Sequence, residues 1–129
     1  MKNLHLTLLD ERLAVCRLSP DEPPPPWASG ELTAVIRTVH ELSIVCANER
    51  VPPDVRAERG WRALMVAGPL DFGLTGILAA LAGPLAEAGI SIFALSTYDT
   101  DYLLVKEENL ARALDVLREA GHDLKWEPR

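Results

Sequence analysis

A glycine-containing segment between an apolar run and a helical pattern holds residue types that could bind a small anion. The first backbone N–H groups of a helix lack intrahelical partners and carry partial positive charge, so they suit a carboxylate. Gly73 and Gly76 would let a ligand approach the backbone closely, and Thr75 could cap the helix or donate a hydroxyl bond. An ordinary strand-to-helix turn also uses glycines, and this alternative stays open. The candidate residues are Asp71, Phe72, Gly73, Leu74, Thr75 and Gly76.

A carboxylate and two hydroxyls at a predicted β-hairpin form a second candidate group. We expect Asp101 at the same end of the sheet as the glycine segment, where it could pair with an amino group or a cationic side chain. It could equally cap its own turn. Ser96 and Thr97 could contact a ligand from the strand edge, or be strand residues only. Glu41, which an internal repeat aligns with Asp101, is a weaker candidate.

The histidines and cysteines do not form a recognisable catalytic or metal centre. The three histidines lie far apart in sequence and near no nucleophile setting. At most, His40 and Glu41 could form an acid–base group with Asp101 across the repeat. The two cysteines lie inside apolar runs and are too few for a four-ligand zinc site, so we expect small buried side chains. We therefore predict no metal, no cofactor and no enzymatic activity.

Hydrophobic periodicity predicts the order β-α-β-β-α-β for the second half of the chain, which is the ferredoxin-like arrangement. Pro84 lies inside the first helical pattern and should bend that helix, because the carbonyl of Ala80 loses its N–H partner. A four-stranded sheet with both helices on one face leaves its other face free. The predicted strands cover 61–67, 91–97, 101–105 and 122–124, and the predicted helices cover 74–88 and 107–120.

The first half carries two β-rich runs and a proline-rich connector where a first helix would stand. Four consecutive prolines, 23–26, can neither donate to a ladder nor continue a helix. The run from Glu41 to Val45 aligns on the run from Asp101 to Val105, which indicates an internal repeat. We predict an α+β protein of two ferredoxin-like (βαββαβ) units with antiparallel sheets, the first unit degenerate. The predicted domains are residues 1–57 and 58–129.

Composition excludes several classes of partner. The chain has 129 residues, a net charge of −6 and 48% hydrophobic residues, the balance of a globular protein. So acidic a chain lacks the basic face that nucleic acid or anionic lipid needs. No uncharged run reaches the length of about 20 residues that a membrane span requires, and the N-terminus does not resemble a signal peptide. We expect a cytoplasmic protein whose free sheet face supports a homodimer or higher oligomer.

Three stretches, Gly68–Ile77, Pro84–Phe93 and Leu95–Val105, resemble the ACT domain. The motif Ser96-Thr-Tyr-x-Thr-Asp101 is similar to the ACT subgroup that includes the cytosolic arginine sensors of animals and small tandem-ACT bacterial proteins. The hairpin from Glu41 to Cys46 resembles that of a preceding ACT copy. The resemblance covers roughly residues 3–124. It implies an ACT-type ligand-binding regulatory module, usually for amino acids, with the effector at an interface and Asp101 in contact with it.

Together these features predict a non-catalytic regulatory or sensor protein that binds a free amino acid of unknown identity and could act on a regulated protein partner. A ligand-free oligomerisation or interaction module is the alternative, and a small acid–base enzyme is a more remote one. Asp101 and the glycine segment distinguish the first two, because a bare dimerisation module needs neither.

Overall fold

The computed structural model describes residues 3–67 and 76–126, which form two helices and eight strands. By packing, the chain divides into two compact units: unit 1 contains residues 1–10 and 62–129, and unit 2 contains residues 11–61. The strands are β1 (His5–Leu8), β2 (Leu13–Leu18), β3 (Ala34–Arg37), β4 (Leu42–Ala47), β5 (Ala57–Val66), β6 (Phe93–Ser96), β7 (Asp101–Lys106) and β8 (Asp123–Trp126). The helices are α1 (Ile77–Glu87) and α2 (Leu110–Glu119), and short 3-10 turns cover Asn48–Arg50 and Glu107–Asn109.

Unit 1 has the predicted β-α-β-β-α-β order with one additional strand. The order in its sheet is β8-β1-β5-β7-β6, so β1 lies between the strands that would be first and last in a ferredoxin-like unit. Strand β1 pairs antiparallel with β5, where Leu6 faces Val66, and parallel with β8, where Leu6 faces Leu124. The expectation of a purely antiparallel sheet is therefore wrong for this unit. The sheet is mixed because the inserted strand runs in the direction of β8.

The predicted division into ACT-type units of residues 1–57 and 58–129 stays a prediction. Packing places residues 1–10 with 62–129, because β1 forms its ladders with β5 and β8. The helix predicted from residue 74 begins at Ile77, directly after Gly76, whose φ of 79° is left-handed and incompatible with a helical turn.

The core of unit 1 is an apolar layer between the two helices and one sheet face. Helix α1 contributes Leu81 and Leu85, and α2 contributes Leu117, each at 1% exposure or less. Full burial of a leucine side chain stabilises the fold by about 1.5–3 kcal/mol. The sheet side chains in the same cluster include Leu6, Leu64, Val66, Leu103 and Val105.

A buried histidine satisfies the helix carbonyl that proline leaves without a partner. Helix α1 continues through Pro84 to Glu87, although Pro84 has no N–H for the carbonyl of Ala80. His122 is 3% exposed, and its Nε2 lies 3.1 Å from that carbonyl oxygen. Its Nδ1 accepts the N–H of Leu4 at 3.0 Å, so the neutral tautomer with a proton on Nε2 satisfies both groups. The predicted bend of α1 stays a prediction.

Unit 2 keeps the ferredoxin-like strand order without the helices. Its order is β3-β4-β2-β5, and all three pairs are antiparallel. Residues 11–61 are all described and contain no α-helix. The connector of residues 19–33, which contains the four prolines, stands in the place of the first helix, and the turn at Asn48–Arg50 in that of the second. The degenerate first unit is therefore confirmed.

The two cysteines lie in the core of unit 2 as free thiols. A side-chain hydrogen bond with Cys46, together with burial, raises the pKa of the Cys16 thiol, so Cys16 stays protonated at neutral pH. Trp27, which follows the prolines, packs against the same cluster and attaches the connector to the sheet. The protonated, buried thiol of Cys16 is unreactive, which fits a packing role for this side chain.

Replacing His122 with alanine should lower the free energy of unfolding by about 2–4 kcal/mol, because two buried backbone groups lose their partner. Pro84→Ala restores an N–H for the Ala80 carbonyl, so His122→Ala should cost about 1–2 kcal/mol less in that background. Urea denaturation of the four proteins of the cycle measures both values. His5→Ala is the control, since the side chain is 72% exposed, and should change stability by less than about 0.5 kcal/mol. An equal cost of His122→Ala in both backgrounds would contradict the assignment.

Candidate functional site

The β6–β7 hairpin brings two of the predicted site residues together. Ser96 and Asp101 are the last directly facing pair of its ladder, and the Ser96 hydroxyl donates to Oδ1 of Asp101 at 2.6 Å. Within the described part of the chain, Oδ2 of this half-buried carboxylate has no hydrogen-bond partner. A carboxylate oriented in this way can accept hydrogen bonds from an ammonium or guanidinium group.

The turn of this hairpin is closed by its own threonines. The N–H of Thr97 donates to the carbonyl of Thr100 at 2.8 Å, and the N–H of Thr100 donates to Oγ1 of Thr97 at 3.2 Å. The Thr97 hydroxyl in turn donates to the Thr100 carbonyl. The Thr97 hydroxyl, a candidate ligand contact, is thus engaged in closing the turn.

Thr100 attaches the hairpin to the end of β5. Its side chain is buried, at 8% exposure, and Oγ1 donates to the carbonyl of Val66, the last residue of β5. The hairpin therefore lies beside the point where the chain leaves the strand for the glycine segment. Sequence reasoning included Thr100 in the motif that ends at Asp101 but did not name it as a site residue. Its buried hydroxyl could not be recognised without the β5–β7 pairing.

Only one residue of the predicted glycine segment can be placed. Asp71, Phe72, Gly73, Leu74 and Thr75 lie outside the described residues. Gly76 is the N-cap of α1, its carbonyl accepts the N–H of Ala80 at 2.9 Å, and no side chain caps the helix there. The first N–H groups of α1 therefore have no side-chain acceptor at the cap position, which is compatible with an anionic ligand.

The weaker candidate, Glu41, is not the structural counterpart of Asp101. In unit 2, Thr38 closes its turn on Glu41 as Thr97 does on Thr100, with the same N–H to carbonyl bond at 2.9 Å. The pair that faces across the ladder is Arg37 and Leu42, which corresponds to Ser96 and Asp101. The alignment of Glu41 on Asp101 was therefore wrong by one residue, and unit 2 has an apolar side chain at the position of the carboxylate.

The described histidine, cysteine and carboxylate side chains do not form a metal site. Across residues 3–67 and 76–126, no three His, Cys, Asp or Glu side chains are grouped to hold a metal ion. The imidazole of His122 is occupied by backbone groups on both nitrogens. In the same ranges, no helix is long and apolar enough to cross a membrane.

Two family models match separate stretches of the chain. A family model of the ACT domain matches residues 56–119, and a second model, of an N-terminal domain, matches residues 11–54. A crystal structure from Agobacterium tumefaciens is 40% identical, with a TM-score of 0.94, and covers 100% of this chain and 97% of that one. Residues 56–119 belong to the ACT domain family. The motif-based recognition is thereby confirmed.

Two further proteins resemble this chain, one in part of its sequence and the other in its fold. The cytosolic arginine sensor for mTORC1 subunit 1 of Homo sapiens is 42% identical over 59 residues, which are 45% of this chain and 18% of that protein. The chain thus matches less than a fifth of the sensor's length. The regulatory subunit of aspartate kinase from Thermus thermophilus shares the fold, with a TM-score of 0.60 at 10% identity and coverage of 88% and 97%.

Two glycines of unit 1 should respond to alanine in opposite directions. Gly76→Ala should lower the free energy of unfolding by about 1 kcal/mol, because alanine is strained at a φ of 79°. Gly83→Ala, inside α1, should raise it by about 0.5–1 kcal/mol, because glycine loses more entropy in a helix. A Cβ at either position meets nothing within 4 Å, so crowding does not confuse the comparison. Thermal or urea unfolding of both variants measures the signs; equal signs would contradict the assigned backbone conformations.

Proposed function

We propose that the protein is a non-catalytic regulatory module that binds a free amino acid at the β6–β7 end of unit 1. The observation that carries this proposal is the Asp101 carboxylate, which is oriented by the Ser96 hydroxyl and keeps one oxygen available among the described residues. Asp101 would pair with the α-ammonium group or with a basic side chain of the ligand. The proposed partner for the ligand carboxylate is the backbone from Asp71 to Gly76.

The family supports the ligand class. A relative that matches 45% of this chain is named a cytosolic arginine sensor, and a protein that shares the fold is named the regulatory subunit of aspartate kinase. The identity of the amino acid is not transferable, because the match to the arginine sensors spans 18% of their length. A regulated protein partner and a cytoplasmic location are part of the same proposal, supported by the names of these relatives.

Self-association is the second part of the proposal. Strand β3 lies at one edge of the sheet of unit 2 and pairs with β4. Its Val35 and Ile36 are 44% and 49% exposed. An exposed strand edge with apolar side chains favours pairing with another chain. The same observation also supports the second candidate function, an interaction module that works without a ligand.

Asp101→Ala should weaken binding of the amino acid roughly ten- to a hundredfold, the loss expected for a charge-assisted hydrogen bond. A thermal-shift screen of the twenty amino acids identifies the ligand, and calorimetry measures the affinities. Asp99→Ala is the matched control, because it removes the same charge from an exposed position of the same hairpin. Its affinity should stay within about twofold of wild type.

Equal affinities in wild type and Asp101→Ala would show that Asp101 stabilises the hairpin turn and does not contact the ligand. Binding of none of the twenty amino acids would favour the ligand-free interaction module.

Sedimentation velocity should show a homodimer or larger species at about 100 μM, since association increases with concentration. Replacing Val35 and Ile36 together with lysine should shift the distribution toward monomer, because two charges at a strand edge oppose pairing. Val39→Lys is the control for added charge outside the strand. A wild-type protein that sediments only as a monomer at this concentration would contradict the proposed association.

A further inference from the structure

Unit 2 has a groove of about 370 Å³ at the end of its strand β2. This volume lies in the range of small-molecule sites. The groove lies next to the connector that replaces the first helix. Its lining residues are Arg17, Leu18, Ser19, Glu22, Val55 and Arg56.

The two arginines that line the groove form no ion pairs with the described carboxylates of the chain. Among the described residues, neither Arg17 nor Arg56 has a carboxylate within ion-pair distance. Arg17 uses Nη2 to donate to the carbonyl of His40 at 3.1 Å, and Arg37 donates to the carbonyl of Pro20 beside the groove. Three guanidinium groups therefore lie near one segment of a chain whose net charge is −6. An anion would gain charge-assisted hydrogen bonds there.

The groove occupies a defined position in the repeat. In unit 1, the Thr100 hydroxyl joins the hairpin to the end of β5, and in unit 2 the Arg17 guanidinium joins the hairpin to the end of β2. Both hairpins have the same ladder register and the same threonine turn. Unit 2 has no helix N-terminus at this position, so side-chain guanidinium groups are the available partners for an anion.

We propose that this groove is a second ligand site, separate from the one in unit 1, and that it binds an acidic amino acid. The two ligand carboxylates would pair with Arg17 and Arg56, whose guanidinium groups suit planar carboxylates. The ligand ammonium would pair with Glu22. The methylene groups would lie against Leu18 and Val55, which supply the apolar part of the lining.

The test measures binding of L-aspartate and L-glutamate by calorimetry to the full chain carrying Asp101→Ala, which disables the site proposed for unit 1. We expect saturable binding of at least one of them in this background. Arg56→Gln should weaken it roughly ten- to a hundredfold, and Arg50→Gln, an exposed arginine outside the groove, should leave it unchanged. Arg56 is the first choice because Arg17 also bonds to the hairpin carbonyl.

Glu22→Gln tests the ammonium contact. It should weaken L-aspartate binding but leave succinate, which has two carboxylates and no ammonium, unaffected or tighter. Absence of binding by both acidic amino acids, or equal affinities with and without Arg56→Gln, would overturn the proposal. Loss of binding in the Asp101→Ala background, with wild type binding normally, would place the acidic ligand in unit 1 and overturn it as well.

Discussion

Unit 1 depends on two hydrogen bonds made by the buried, uncharged imidazole of His122. The imidazole connects three elements at once: the residue before β1, the middle of α1 and the start of β8. Without it, the Ala80 carbonyl would be buried with no donor, because Pro84 cannot supply one. The same contact holds the inserted N-terminal strand in register, since Leu4 and Asp123 are also joined by a backbone hydrogen bond. His122 therefore links the proline-containing helix to the additional strand of the sheet.

The two units share a hairpin geometry but differ in the charged side chains near it. Each unit has a hairpin closed by a threonine. In each, a side chain that donates to a backbone carbonyl joins this hairpin to the end of a strand, β5 in unit 1 and β2 in unit 2. In unit 1 the strand leads toward a helix, and the hairpin carries the Asp101 carboxylate. In unit 2 the strand leads into prolines, the corresponding position is Leu42, and arginines line the adjacent groove. The repeat conserves geometry while the charges differ in sign.

Local periodicity was sufficient to predict the order of elements in the second half, because Leu81, Leu85 and Leu117 mark the buried helix faces directly. It was also sufficient to place Ser96 and Asp101 in one hairpin, and the ladder register then makes them direct partners. The insertion of β1 could not be predicted, because a strand of four residues carries no signal for a partner some 60 positions away. The His122 contact spans 42 positions and has no sequence signature. Matching the acidic residues rather than the turn threonines aligns Glu41 with Asp101, one residue away from the observed ladder register.

We propose that the hairpin end of unit 1 binds an amino acid through the Asp101 carboxylate. The most direct measurement is a titration of the ¹⁵N-labelled protein with each of the twenty amino acids, followed by amide chemical shifts. We expect at least one amino acid to produce saturable shifts at the amides of Gly76, Ser96 and Asp101. No shift at these three amides with any of the twenty amino acids, or saturable shifts only in other parts of unit 1, would contradict the proposed site.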